Sequence, residues 1–232
     1  MDEPTFDAVA REAIYEVIAA RRDIRHFLPD QRVEPATLAR ILTAAHQAPS
    51  VGLMQPWRFI RICNPATRAQ LAEAVETERL RTAEALSERQ TEFLRLKIEG
   101  IRECAELLAL IMAPDDGTVL GRRTMPREMA IASCACAAQN LWLAARAENL
   151  GLGWVSFFDP DYVTQLLGCP PGAFPLGIFC LGPVREFPAK PLLEMVDWRH
   201  GEALEALLYT DAYGHGARGE EVALAQDHKR AY

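Results

Sequence analysis

The chain has 232 residues, half of them hydrophobic and a quarter charged, with a formal net charge of -7. This length allows one large domain or two small ones, and the composition is that of an ordinary globular chain that buries a core without disulfides or a structural metal. The acidic balance excludes general binding to nucleic acid or anionic membrane, which need a basic surface.

No apolar run approaches the ~20 residues of a spanning helix. The opening MDEPTFDAVAREA lacks the apolar region of a signal peptide, so a cytoplasmic location is expected.

Residues 6–20 read as an amphipathic helix that ends just before Arg21, Arg22 and Arg25, with Arg32 a little beyond. A second helix is predicted from Glu34-Pro35, with proline in its first turn, through to Pro49. WRFIRIC, 57–63, alternates as a strand does and is closed by Asn64-Pro65. Residues 66 to about 105 read as helical but poor in core, either a solvated excursion or a lid. LLALIMAP, 107–114, reads as a buried strand, although its period does not exclude a helix. A loop follows.

Residues 126–149 form the clearest helix, with Pro126 in its first turn and Gly151 past its end. It is apolar nearly all round and rich in Ala, Ser and Cys, so neighbours approach it closely. Two more strands, 151–158 and 175–184, flank a short helix. The tail from about 185 has prolines and aromatics but little core, as do tails that wrap a partner subunit. One α+β domain with an extension is the expected organisation.

Cys63, Cys104, Cys134, Cys136, Cys169 and Cys180 lie in mainly apolar surroundings without a CxxC pair, and are expected as free thiols. The histidines show no HxH or HExxH spacing. No metal site is expected.

Three arginines just past a helix end can converge on one phosphate, because guanidinium forks match phosphate oxygens. The same residues would also suit a solvated basic turn. Asp23 within the cluster is the anomaly, since a carboxylate repels an anion. GLGWVS (151–156) lacks the third glycine of a dinucleotide fingerprint and leads into a strand, and there is no GxxxxGK[ST] or GxSxG segment. QAPSVGLMQPWRF, 47–59, is a second candidate: Pro49, Gly52 and Pro56 shape a loop that offers Ser50 and Gln55 to a ligand.

Taken in order, the RRxxR turn, APSxxxxQPWRF, GLGxxxxF after the Ala-rich helix and the LGPVREFPAKPxLE tail resemble the nitroreductase-type flavoproteins. Within that superfamily the chain is most similar to the BluB-type 5,6-dimethylbenzimidazole synthases. Asp23 stands where ordinary nitroreductases usually have serine, LRLKIEGI (94–101) resembles the synthases' lid, and Ser156 stands where they have a serine facing the flavin.

The resemblance implies a nitroreductase-like α+β fold, with a central mixed sheet flanked by helices, a helical lid at about 78–104 and a C-terminal extension at about 185–232. It implies a homodimer with active sites at the subunit interface. Reduced FMN would be the substrate: oxygen adds to it, and it is broken into 5,6-dimethylbenzimidazole, the lower ligand of vitamin B12, and erythrose 4-phosphate. A separate flavin reductase would supply the reduced FMN.

On this resemblance Arg21, Arg22 and Arg25 hold the phosphate and the polar edge of the ring system, joined by Arg199. Ser50 and Gln55 touch the ribityl or pyrimidine side, and Leu96 packs from the lid. Asp23 contacts the flavin and serves as base or proton shuttle, because desolvation raises a carboxylate's basicity. Ser156 orients the oxygen adduct near the flavin N5. The plainer alternative has Asp23 only pairing with Arg25 or capping a turn, and Ser156 satisfied by backbone. Two other functions stay open: an NAD(P)H-dependent nitroreductase or flavin reductase that keeps its FMN, and a non-catalytic flavin-storage module.

Overall fold

The computed structural model describes residues 5–216. The described chain divides into two compact units, one up to residue 189 and one from residue 190.

The first unit opens with α1 (Ala8–Ala20), capped by the Asp7 carboxylate, which accepts from the Ala10 N–H at 2.8 Å. α1 buries none of its residues and leaves Val9, Ile14, Tyr15 and Ile18 exposed. α2 (Pro35–His46), β1 (Trp57–Arg61) and α3 (Pro65–Ala85) follow, then α4 (Gln90–Phe93), β2 (Glu106–Met112) and α5 (Pro126–Ala147). β3 (Gly151–Val155), α6 (Pro160–Leu166) and β4 (Phe174–Gly182) complete the unit. The four strands pair in the order β1-β2-β4-β3.

The expected mixed sheet is antiparallel at every strand pair. Its parallel component is a single bridge from Asp23 to Leu152. That bridge lies on β3, an edge strand, and it matters for the site.

α5 is the central helix. Ala130, Cys134, Ala137, Ala138, Leu141 and Ala145 form its buried stripe, packed with Leu38, Ile41 and Ala45 of α2 and with Leu108, Leu110, Leu152, Phe179 and Leu181 of the sheet. Small side chains on that stripe bring backbone close to backbone, as the Ala-rich sequence predicts. All six cysteines are free thiols, and Cys104, Cys134 and Cys180 are buried.

The stretch expected to carry little core is the main departure. Helix ends at Phe93, and the segment buries Leu71, Val75, Ala83, Phe93, Ile98 and Ile101. Leu71 and Val75 are one turn apart on α3, so a narrow apolar stripe reaches the core despite the charges around it. α3 starts with Pro65 at its first position and Asn64 capping the Ala66 N–H at 2.8 Å. Asn64→Ala should destabilise the protein by about 1 kcal/mol, measured by urea unfolding with an unchanged slope.

The second unit carries α7 (Leu192–Met195), α8 (Leu204–Leu207) and a Tyr209–Gly216 bridge. The last part of the expected extension, 217–232, lies outside the described residues. No helix among the described residues is long and apolar enough to cross a membrane.

Candidate active site

The arginine turn is fastened to the edge of β3. Ile24 is buried, and its N–H donates to the Leu152 carbonyl at 3.1 Å. The Trp154 N–H donates to Asp23 Oδ1 at 3.0 Å. The turn can lie this close only because residue 153 is glycine. A Cβ there would stand 2.0 Å from the Ile24 carbonyl oxygen and 2.7 Å from Arg25 Nη1. The glycines of GLGWVS thus serve a close backbone approach, not a dinucleotide turn.

The three arginines have different partners. Arg22 spends both terminal nitrogens on carbonyls: Nη1 on Ala19 and Arg21, Nη2 on Ala189, each at 2.7 Å. Arg25 Nη2 donates to the Trp154 carbonyl at 2.8 Å and pairs with Asp23 Oδ2 at 2.5 Å. Arg21 has its guanidinium over the Trp142 ring, 4.6 Å from the centroid, and no hydrogen-bond acceptor among the described residues. Arg22 Nε and Arg25 Nη1 are buried without a hydrogen-bond partner among the described residues.

Asp23 does pair with Arg25, as the simpler sequence reading allowed. Its carboxyl is nonetheless pushed above the usual carboxylate range, because burial outweighs the pull of Arg25, the Trp154 N–H and Arg21. With its side chain 40% exposed, the carboxylate is crowded yet reachable. The turn therefore offers unspent N–H groups around one carboxylate of raised basicity.

Ser156 follows the last residue of β3, two positions after the backbone N–H that holds Asp23, and is exposed. Its carbonyl accepts from the Phe158 N–H at 3.1 Å. Next to it, the Phe157 ring meets Phe93 of α4 with centroids 5.8 Å apart, which joins the expected lid to this end of β3. Arg79 Nη2 donates to the Leu94 carbonyl and Arg68 Nη1 to the Cys104 carbonyl, securing the segment at both ends. Leu96 is half-buried in the turn after α4.

Ser50 and Gln55 share a strained loop elsewhere on the chain. Leu53 (φ 52°) and Gln55 (φ 42°) adopt left-handed backbone, rare for residues with a side chain. Ser50 Oγ accepts from the Gln55 N–H at 3.1 Å, and Ser133 Oγ accepts from the Val51 N–H at 3.2 Å. Gly52 lies so close to the following loop that a Cβ would stand 2.8 Å from Thr118 Cγ2.

α5 thus holds both candidate segments at separate points, the loop at Ser133 and the turn at Trp142. About 14 Å of helix rise separates those two points. Among the described residues no hydrogen bond joins Ser50 or Gln55 to Asp23, and the two segments are anchored apart on α5. Arg199 belongs to the second unit, where it is exposed after α7.

A cavity of about 430 Å³ lies at the other end of the sheet, lined by Met54, Arg58, Met112, Arg122, Arg127 and Phe174 among others. It contains none of the predicted site residues. Arg122 there is buried and paired with Asp115 and Asp116.

Sequence reasoning missed Trp142, whose Nε1–H donates to the Arg22 carbonyl at 3.1 Å, and Arg146, whose Nε donates to the Ala20 carbonyl at 3.3 Å. The available signal was an aromatic and a cation inside an otherwise small-residue helix, both spaced toward one end.

A profile of the nitroreductase family matches residues 18–183. A 5,6-dimethylbenzimidazole synthase of Rhodospirillum rubrum is 42% identical over 200 residues, covering 84% of this chain and 93% of the relative. One from Rhodobacter capsulatus is 39% identical over 197 residues, covering 84% and 94%. Among solved structures, the NADPH:FMN oxidoreductase of Vibrio harveyi complexed with NAD+ superposes with a TM-score of 0.65 at 20% identity, over 95% of this chain and 86% of that one.

Proposed function

The chain belongs to the nitroreductase family, and we propose that within it the protein is a 5,6-dimethylbenzimidazole synthase that consumes reduced FMN and oxygen and releases erythrose 4-phosphate and the remaining pyrimidine fragment of the flavin beside it. The observation that carries this reading is Asp23, a carboxylate set among three arginines with its pKa raised by burial. The near-full-length likeness to two synthases supports it. An arginine cluster that only bound a phosphate would do better without the charge.

The residues present fit a flavin. The unspent donors of Arg21, Arg22 Nε and Arg25 Nη1 suit its phosphate and the polar edge of its ring. Reduced flavin supplies the electrons for oxygen chemistry and also the carbon skeleton that is cut. Breaking a ribityl carbon–carbon bond in a retro-aldol manner requires removal of a hydroxyl proton, and Asp23 is the group that accepts it. Arg25, at 2.5 Å, keeps the carboxylate oriented while this happens. Ser156 orients the oxygen-bearing face. The segment from α4 to Cys104, with Leu96, excludes water from the reaction.

The site is completed by a second copy of the chain, whose Ser50 and Gln55 reach the flavin held at this chain's Asp23. The separation of the two segments along α5 and the uncovered apolar residues of α1 support that arrangement. A separate flavin reductase supplies reduced FMN, so the protein needs no nicotinamide site.

The test is to mix the protein anaerobically with chemically reduced FMN, admit oxygen and separate the products by mass-resolved chromatography. Dimethylbenzimidazole is the expected product. If only oxidised FMN returns and the protein consumes NAD(P)H in steady state, it is a reductase and the synthase reading is wrong.

A further inference from the structure

Of the three arginines in the turn, Arg21 alone has its whole guanidinium fork unspent on the protein among the described residues, and the group beneath it is Trp142. The Arg21 guanidinium carbon lies 4.6 Å from the centre of that indole. The same side chain turns its Nε1–H to the Arg22 carbonyl at 3.1 Å. Trp142 is in turn backed by Trp154, with centroids 6.2 Å apart, and Trp154 by Phe179 of β4 at 5.0 Å. Trp154 is itself tied to the Leu176 carbonyl at 3.1 Å. The indole is therefore a platform rooted in the sheet.

The nature of the contact matters. A carboxylate or carbonyl partner would fix an arginine by consuming its N–H groups, as happens to Arg22. An aromatic face holds the guanidinium through its π cloud and leaves the edge donors free. Without it the long side chain spreads over many rotamers and must be ordered when the ligand binds. The second contact acts on the backbone, because holding the Arg22 carbonyl sets the peptide that leads into Asp23.

We propose that Trp142 is a positioning residue for the flavin phosphate: it holds Arg21 in place with all its donors available and anchors the turn at Arg22. The inference rests on the flavin reading above and extends it to a residue that touches neither the flavin nor oxygen. It predicts an effect on the preference for the phosphate, exerted through Arg21, because the Arg22 bond bears on both flavins alike and cancels in that preference.

The test compares dissociation constants for FMN and riboflavin, which differ only by the phosphate, using quenching of flavin fluorescence. Wild type should prefer FMN. Trp142→Leu should lose about tenfold of that preference, FMN weakening about tenfold more than riboflavin, and Trp142→Phe, which keeps a ring face but not the N–H, should retain most of it. In an Arg21→Ala background, adding Trp142→Leu should cost no further preference, because the two act as one unit.

Equal weakening of both flavins by Trp142→Leu, with a lowered Tm, would show a merely structural residue and overturn the inference. So would additive losses in the double variant. A wild-type protein that binds both flavins equally would instead sink the phosphate role of the arginine turn itself. The two failures are therefore distinguishable.

Discussion

Asp23→Asn should lower dimethylbenzimidazole formation by roughly a hundredfold to ten-thousandfold, the usual range for losing a positioned acid or base. FMN should bind as tightly as to wild type or more tightly, since a negative charge leaves the neighbourhood of the phosphate. The loss should appear in turnover and not in KM. Unaltered turnover with weakened flavin binding would mean that Asp23 only orders Arg25.

The raised pKa adds a signature in pH. As a base Asp23 works ionised, so wild-type activity should rise with pH along a limb displaced upward from the ordinary carboxylate range. That limb should vanish from any residual activity of the asparagine variant. Stability moves the other way. A carboxyl whose pKa is higher folded than unfolded favours folding while protonated, and loses that contribution as pH rises through the folded value. Asparagine mimics the protonated form at every pH. The Tm difference should therefore shift in favour of Asp23→Asn as pH rises through the raised pKa, measured by calorimetry in a series of buffers. A difference constant with pH would contradict the burial-dominated shift. A wild type held back by its own Asp23 carries a functional strain of the kind active sites keep.

Much of this was legible because local rules agreed with the tertiary structure. Pro126 at the start of α5, Pro65 after Asn64 at the start of α3, and the alternation of WRFIR each mark an element by chemistry that acts over a few residues. The all-antiparallel order of the strands was not legible, because pairing is decided by packing between segments far apart in the chain. The segment 66–105 misled for a related reason. Its charges mask a narrow stripe, Leu71 and Val75, whose burial depends on which neighbours arrive.

At the site, adjacency in sequence puts Arg21, Arg22 and Arg25 beside Asp23 but does not show how they divide the work. Arg21 and Arg22 are adjacent, yet one lies on Trp142 and the other is spent on carbonyls as distant as Ala189. No spacing rule distinguishes them. Nor could sequence order show that the loop of Ser50 and Gln55 and the arginine turn are anchored at separate points of one helix.

Gly153→Ala should be the most damaging alanine substitution among the described glycines. The added Cβ would lie 2.0 Å from the Ile24 carbonyl oxygen, 3.2 Å from its carbonyl carbon and 2.7 Å from Arg25 Nη1. Contacts that close are resolved only by movement, and the nearest atom is backbone, which cannot rotate aside. The turn must lift from β3. It then strains or loses the Ile24 N–H bond to Leu152, the Trp154 N–H bond to Asp23 and the Arg25 bond to the Trp154 carbonyl. Overpacking costs about 1–3 kcal/mol, and the broken edge contacts place this substitution near the top of that range, at about 3 kcal/mol. Flavin affinity should fall about a hundredfold, because misplaced donors lose their charge-assisted bonds together. Gly216→Ala, where the methyl would meet open space, is the matched control and should change neither quantity. Denaturant unfolding and flavin titration of the two variants decide the matter. If Gly153→Ala keeps wild-type stability and affinity, the arginine turn does not lie on β3 as described, and the placement of Asp23 beside Trp154 fails with it. If stability falls while affinity holds, the turn tolerates displacement and the flavin is held elsewhere.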